Sequence, residues 1–450
     1  MFLKRFALSL TAACSMWGAA ASMQSQQDPN TPAEGPFQFV PLPSSAACVP
    51  GGLDEQPLLL PPGYVQTVVA REGEGGAGDQ WDMNTLNETG PHAGRFLYRS
   101  HEQRSNAHVS VTDLYTGVTR VLAERADWNR FDGLVWTPWH TLLVAEEMRP
   151  ERQPSLPDPQ VPQAIAGLVY EIHPFTGAAV PRPAIGARAH EGLRFDPQGN
   201  LYGISETLET YRTGATTRNG GFIYRFVPDR RNDMGEGQLY ALKIVAPTGD
   251  RTGEAVWIPL DRASVQVDSD AAAFAAGATA YNRPEDVEIA TSSGNNRGGS
   301  NILFVAVTDE NRVLRIELRE PRSTDEHATA FVSDYVRQGV NAPFDFEAPD
   351  NLALDKNGNL YITEDAPDPV LKGNDVWVAV PDRADHLAAE QTVRFATLTD
   401  CGAEPSGVYF DKSGTKLFIN ILHRGGNNSA GVSLLPDLGM VITEAKRGGE

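Results

Sequence analysis

From Tyr64 onward the chain runs in short stretches rich in Val, Ile, Tyr and Thr: VQTVVA, RFLYRSHE, HVSVTDLYTG, TRVLAE. Gly, Asp and Asn break these stretches at intervals of about eight to twelve residues, a spacing that predicts β-strands and turns. No segment keeps a sustained 3.6-residue apolar period. The departures, near Asp270–Ala276 and Asp385–Glu390, predict short helical insertions. Residues 22–60 are rich in Pro, Ser and Gln and predict irregular chain, whereas 61–450 reads as one β domain.

One phrase organises the rest. APDNLALDKNGNLYITED (348–365) reads as two strands joined at a Lys-Asn-Gly turn, with acids at the start of one strand and the end of the other. Related phrases start at 81, 131, 190, 283, 349 and 404, and a 93-residue gap from 190 to 283 carries an extra excursion. Asp132 to Glu146 spans 14 residues, Glu191 to Glu206 spans 15 and Asp350 to Glu364 spans 14. The carboxylates therefore bracket each hairpin at nearly constant spacing. Six copies of one hairpin predict an all-β fold, a six-bladed β-propeller, because radial repetition leaves only short protected edges. TGVTRVLAE and TGAAVPRP predict outer strands. Chain around Val432 and Met440–Glu444 predicts a partner for the N-terminal strand, closing the ring.

In a propeller the innermost strands meet at a central channel. The acids at their starts are Asp132, Glu191, Glu285 with Asp286, Asp350 with Asn351, and Glu404. Unpaired, such a set repels itself and raises its own pKa values; cations remove that repulsion, and Ca²⁺ takes six to eight oxygen ligands of this kind. Asp196, Asp355 and Asp411 precede turn glycines and read as turn formers. Glu146, Glu206 and Asp365, at the exits of the second strands, fit either the site or a solvated face. Arg149, Arg194, Arg283 and the pair His423-Arg424 lie beside the acidic positions, as pairing residues or as a forked clamp for an anionic substrate.

Composition narrows the partners. Asp+Glu number 58 against 38 Lys+Arg, a net charge of −20. That balance argues against nucleic acid or an anionic membrane. MFLKRFALSLTAACSMWGAAAS has a basic start, a short apolar run and A-x-A at Ala19–Ala21, the pattern of a secretory signal over 1–21 and hence of a secreted or periplasmic protein. Cys14 lacks the Leu three residues earlier that lipidation favours, and no later run is long enough to span a bilayer. Removing the signal leaves Cys48 and Cys401, which predict a disulfide in an oxidising compartment. GEGGAG at 73–78 lacks the strand–helix context of a phosphate cradle and reads as a flexible turn.

Several phrases, in order from Trp81 to Gly425, resemble the PhoX-type family of secreted bacterial alkaline phosphatases: TPWHTLLVAEE, YEIHPFTGAAVPRPAIGARAHEG, RNGGFIYRFVPD, NRPEDVEI, APDNLALDKNGNLYIT and AEPSGVYFDKSGTKLFINILHRG. The resemblance implies a six-bladed propeller with a central cluster of Ca²⁺ and iron held largely by carboxylates, hydrolysing phosphomonoesters. Carried onto this chain, it implies metal ligands Glu146, Glu147, Glu191, Glu285, Asp286 and Asp350. Asn351 and Glu404 join them from the strand-start set. Arg283, Glu191 and His423 are the candidate catalytic residues. Two departures stand out. The family's iron-ligand cysteine falls on Ala145, which weakens the expectation of Fe³⁺ more than that of Ca²⁺. Its closing QHPG is here Leu422-His423-Arg424-Gly425.

The leading expectation is a monomeric phosphatase acting on a small phosphorylated substrate. The PDN and GNLYITED phrases also resemble calcium lactonases of the gluconolactonase and paraoxonase type, with Asp350 and Asn351 as ligands and His190 or His423 as base. A third possibility is a propeller whose metals are structural and whose surface binds a partner.

Overall fold

The computed structural model describes residues 39–49, 52–53, 56–76, 78, 80–150, 157–207, 211–213, 216–218, 220–246, 248–290, 301–319, 328–366, 372–382, 387–424 and 438–445. Six inner strands organise it: β1 (Trp81–Leu86), β2 (Phe131–Trp136), β3 (His190–Phe195), β4 (Pro284–Ala290), β5 (Pro349–Leu354) and β6 (Glu404–Phe410). Each packs beside the next in that order, and β6 returns to β1, so they form a closed ring. These strands begin where the sequence phrases begin. Their first four residues are buried on both faces in most copies, which is why simple polar–apolar alternation is absent from them.

From each inner strand an antiparallel sheet extends outward. β1 and β2 each open a four-stranded sheet, with Val118–Glu124 and Ala179–Pro181 as the outer strands. The sheet of β5 ends on Leu58–Leu59, paired with Ala389–Leu398. The sheet of β6 is completed by Leu438–Glu444 against Tyr64–Arg71, so the two ends of the chain close the ring. β3 and β4 belong to one nine-stranded sheet, in which Gly253–Pro259 pairs with strands on both sides. Among the described residues the fold is therefore all-β and propeller-like: four separate sheets plus this composite one, with a small two-stranded sheet of Tyr211–Thr213 and Thr216–Arg218. Side chains between neighbouring sheets form the core, as where Trp128, Phe131, Trp136 and Tyr170 gather between the first two. Large apolar burial of this kind contributes about 1.5–3 kcal/mol per side chain.

The excursion after β3 holds the helix Ser269–Ala276. Asp268 caps it by accepting the Ala271 amide at 2.8 Å, and Gly277 ends it with a left-handed φ of 74°. A second helix, expected near 385–390, does not form at its described end: Ala389 and Glu390 open the strand Ala389–Leu398, and 383–386 lie outside the described residues. Residues 1–21, expected to be a secretory signal, also lie outside them, as do Val432, Gly425 and Ala77 of the GEGGAG stretch; Glu74–Gly76 forms a single tight turn. Segment 39–60 is only partly irregular, since Leu58–Leu59 is a strand and Cys48 is bonded to Cys401. Their Cα atoms lie 5.0 Å apart across 353 residues of sequence. Among the described residues no helix is long and apolar enough to cross a membrane.

Candidate metal centre in the mouth of the ring

The hairpin registers explain how the acids reach one place. In every inner hairpin two residues of the first strand face a single residue of the second, a β-bulge. The bulged pairs are Asp82-Met83, Asp132-Gly133, Glu191-Gly192, Glu285-Asp286, Asp350-Asn351 and Gly407-Val408. The first residue of the pair breaks the strand's alternation, and in five hairpins it is a carboxylate lining the central cleft. In β6 that place falls to Gly407, where a Cβ would lie 2.2 Å from Asp82 O. Glu404, at the start of β6, lines the cleft instead.

In β2 to β5 the second residue of the pair meets the next strand. Gly133 and Gly192 leave no room for a side chain against Glu191 O and Asp286 Oδ1. Asp286 Oδ2 accepts the Leu352 amide of β5 at 2.8 Å, and Asn351 Oδ1 accepts the Gly407 amide of β6 at 2.5 Å. Asp286, expected as a ligand, is placed outside the cleft lining, where its carboxylate links β4 to β5. Asn351 borders the cleft, but its side chain is spent: Nδ2 donates to Asp350 Oδ1 at 2.9 Å while Oδ1 serves Gly407 and Ser406.

A second set of acids comes from the exits of the outgoing strands. The amides of Glu102, Glu147, Glu206 and Asp365 donate to the carbonyls of Gln80, Arg130, Ala189 and Ala348, at 2.8, 2.8, 3.0 and 3.0 Å. These acceptors immediately precede β1, β2, β3 and β5. Gln80, Arg130 and Ala348, with Arg283 before β4, take left-handed φ angles of 59°, 41°, 44° and 53°. Such a conformation is costly for a non-glycine residue and persists only where the surroundings enforce it. All four exit carboxylates line the cleft. Glu146, one residue before Glu147, does not. Its two oxygens, expected as metal ligands, accept the amides of Asn129 and Leu168 at 2.9 and 3.0 Å. Burial pushes its carboxyl up to about 8.

The finished cleft has a volume of about 370 Å³ and is walled by Asp82, Glu102, Asp132, Glu147, Glu191, Glu206, Glu285, Asp350, Asp365 and Glu404, with Arg130, Arg149, Arg283, Asn351, Leu422 and His423. Burial and mutual repulsion raise Asp132, Glu147, Glu191, Glu285, Asp350 and Glu404 well above the usual carboxylate range. Asp82 rises to about 7 for the same reasons. Glu206 goes the other way. Burial would raise it, but Arg149 and Arg283 reverse the effect and hold it at about 2. Arg283 Nη2 also reaches Asp365 Oδ2 at 2.5 Å, and Arg130 Nη1 reaches Glu147 Oε2 at 2.9 Å.

These donors suit a hard divalent cation. Glu147, Glu191 and Glu206 each offer a carboxylate oxygen within 4.8 Å of the others, and Asp132 Oδ1 is buried without a hydrogen-bond partner. The groups missed in the sequence are Asp82, Glu102 and Arg130, although Asp82 follows Trp81 as Asp132 follows Phe131. Ala145 is fully buried with Leu143, Val169 and Leu193 and brings nothing to the cleft. His190 is also fully buried, its Nε2 3.0 Å from Gly186 O, which removes it as a candidate base. Arg194 pairs with Glu288 at 3.1 Å, away from the cleft.

A model of the alkaline phosphatase PhoX family matches residues 135–425. Among solved structures, the fold is similar to Pseudomonas fluorescens PhoX in complex with vanadate, a transition state analogue. The TM-score is 0.65 at 18% identity, over 90% of this chain and 97% of that one. A Xanthomonas campestris gluconolactonase gives a TM-score of 0.46 at 13% identity, over 90% and 96% of the two chains. No curated protein sequence matches the chain.

Proposed function

The chain belongs to the alkaline phosphatase PhoX family, and from that membership we propose that its cleft hydrolyses phosphate monoesters with Ca²⁺ bound among the carboxylates. The observation that carries the reading is the convergence of ten carboxylates and three arginines on one mouth of about 370 Å³. Bound Ca²⁺ would neutralise charge on the phosphoryl oxygens and on the carboxylates around them. The donors are almost all oxygens, and Ala145 supplies no thiolate, which favours Ca²⁺ over iron.

Glu147, Glu191 and Glu206 form the nucleus of the holding set, with Asp132, Glu285, Asp350 and Glu404 around them. Asn351 orients Asp350 through its amide. Arg283 is the substrate-facing guanidinium: its fork can pass from Glu206 and Asp365 to phosphoryl oxygens. The His423 imidazole, on the cleft wall, can hydrogen-bond the leaving-group oxygen.

We read the nine-stranded sheet as two blades joined through Gly253–Pro259, which gives six blades around the six inner strands. The N-terminal pattern over 1–21 supports export, and the closed ring needs no second copy to complete the cleft.

The test is hydrolysis of p-nitrophenyl phosphate at alkaline pH by the exported chain, with metal analysis of the same sample. EDTA should abolish turnover, Ca²⁺ should restore it, and the protein should carry calcium without iron. Turnover that persists in metal-free protein, or cleavage of lactones in preference to phosphate esters, sinks this reading.

A further inference from the structure

The excursion between β3 and β4 reaches back to the cleft from two sides. On one side it grips the chain leading into β3. The Ala187 amide donates to Val265 O at 2.8 Å, and the Ser269 amide donates to Ala187 O at 2.7 Å. The fit is close, since a Cβ on Gly186 would lie 2.2 Å from Ser269 Oγ. Four residues after Ala187 comes Glu191.

On the other side the helix Ser269–Ala276 grips the exit of the same hairpin. Asp270 accepts the Thr207 hydroxyl at 2.9 Å and the Tyr224 hydroxyl at 2.6 Å, with all three side chains buried. Thr207 follows Glu206 directly, and its carbonyl accepts the Arg283 amide at 3.3 Å. One residue thus joins the helix to the backbones of both members of the Glu206–Arg283 ion pair, itself 3.0 Å between Nε and Oε1.

We propose that Asp270, acting through the Thr207 hydroxyl, is a positioning residue of the metal centre: the inserted helix sets where Glu206 stands relative to Glu191 and Arg283. This rests on the reading of the cleft as a metal site. The physical reason for such a brace is repulsion. Glu147, Glu191 and Glu206 crowd together; Arg149 and Arg283 offset the charge on Glu206 but are side chains, and the Thr207–Asp270 bond is what fixes its backbone against withdrawal. Outer partners that orient a metal's ligands are typically worth on the order of 10–100-fold in affinity or activity.

The experiment compares Thr207→Val, which removes the hydroxyl at nearly constant volume, with Thr207→Ser, which keeps it. Calcium binding is read by calorimetry on the exported chain, and p-nitrophenyl phosphate turnover on the same samples. We expect Thr207→Val to weaken calcium binding by on the order of 10-fold, with Thr207→Ser staying close to wild type. A purely structural role would move melting temperature in both variants without separating their calcium affinities. Should Thr207→Val not fold, Asp270→Asn is read in the same way. Wild-type calcium affinity in Thr207→Val, or equal loss in the serine variant, overturns the proposal. Wild-type protein that binds no calcium overturns it together with the metal reading. Calcium binding without phosphatase turnover overturns only the assigned reaction, and the brace is still decided by the Val–Ser comparison.

Discussion

Arg283 Nε lies 3.0 Å from Glu206 Oε1, joining the residue that enters β4 to the carboxylate that leaves the preceding hairpin. The same guanidinium reaches Glu285 and Asp365, both at 2.5 Å, so one cation holds acids from three hairpins. Lysine gathers its three donors on one nitrogen and cannot span the separate Nε and Nη2 contacts of the planar fork. Arg283→Lys should therefore lower kcat/KM by roughly 10²–10³-fold, the usual cost of losing a preorganised charge stabiliser. Steady-state kinetics on p-nitrophenyl phosphate check this, and an unchanged kcat/KM would remove Arg283 from the substrate's path.

Stability of the metal-free protein should fall as pH rises. Asp82 moves from an ordinary 3.8 to about 7, and Glu146 and Glu364 move from 4.5 to about 8. A carboxyl raised on folding favours its protonated form in the native state. Its stabilisation is complete below the unfolded pKa and is lost as pH climbs through the folded one. The loss should span about pH 4 to 8. Glu206, held at about 2, contributes in the opposite sense: its stabilisation is present above the ordinary value of 4.5 and is lost as pH falls toward 2. Melting curves in EDTA across this range should slope downward with pH. Calcium should flatten the part due to cleft acids and leave that of Glu146 and Glu364.

Adjacent glutamates should behave differently. Glu146→Gln leaves the cleft untouched but presents an NH₂ group to a backbone amide that now has an acceptor. That mismatch should cost about 1–3 kcal/mol of stability, with turnover changed little. Glu147→Gln should do the reverse, weakening calcium binding and activity with little loss of melting temperature. Urea melts and calcium titrations on the pair decide it; similar profiles for the two would contradict the assignment.

The Cys48–Cys401 bond closes a loop of 353 residues. On the chain-entropy account this constrains the unfolded state by roughly 6 kcal/mol, and native disulfides typically contribute about 2–5 kcal/mol. Cys48→Ala should lower stability in that range without altering calcium stoichiometry, as measured by denaturant unfolding and metal analysis.

Much of this was readable along the chain. The hairpin phrases begin close to where the inner strands begin, because Val/Ile/Leu/Tyr runs bounded by short polar turns have few other ways to fold. Asp132, Glu191, Asp350 and Glu404 could be picked out by register alone. Neighbouring acids could not be separated in that way: Glu146 from Glu147, or Glu285 from Asp286.

What the sequence determined by itself is an all-β ring of repeated hairpins with acids at their inner ends, and a disulfide between Cys48 and Cys401. Which acid of each pair faces the cleft was decided only by tertiary structure. A bulge shifts side-chain direction by one residue, and a closed ring demands that the next residue bond or yield space to the neighbouring strand. Asp286 and Asn351 answer that demand from β4 and β5, and Gly133 and Gly192 answer it from β2 and β3. Glu285 and Asp350, one position earlier, are thereby left pointing into the cleft.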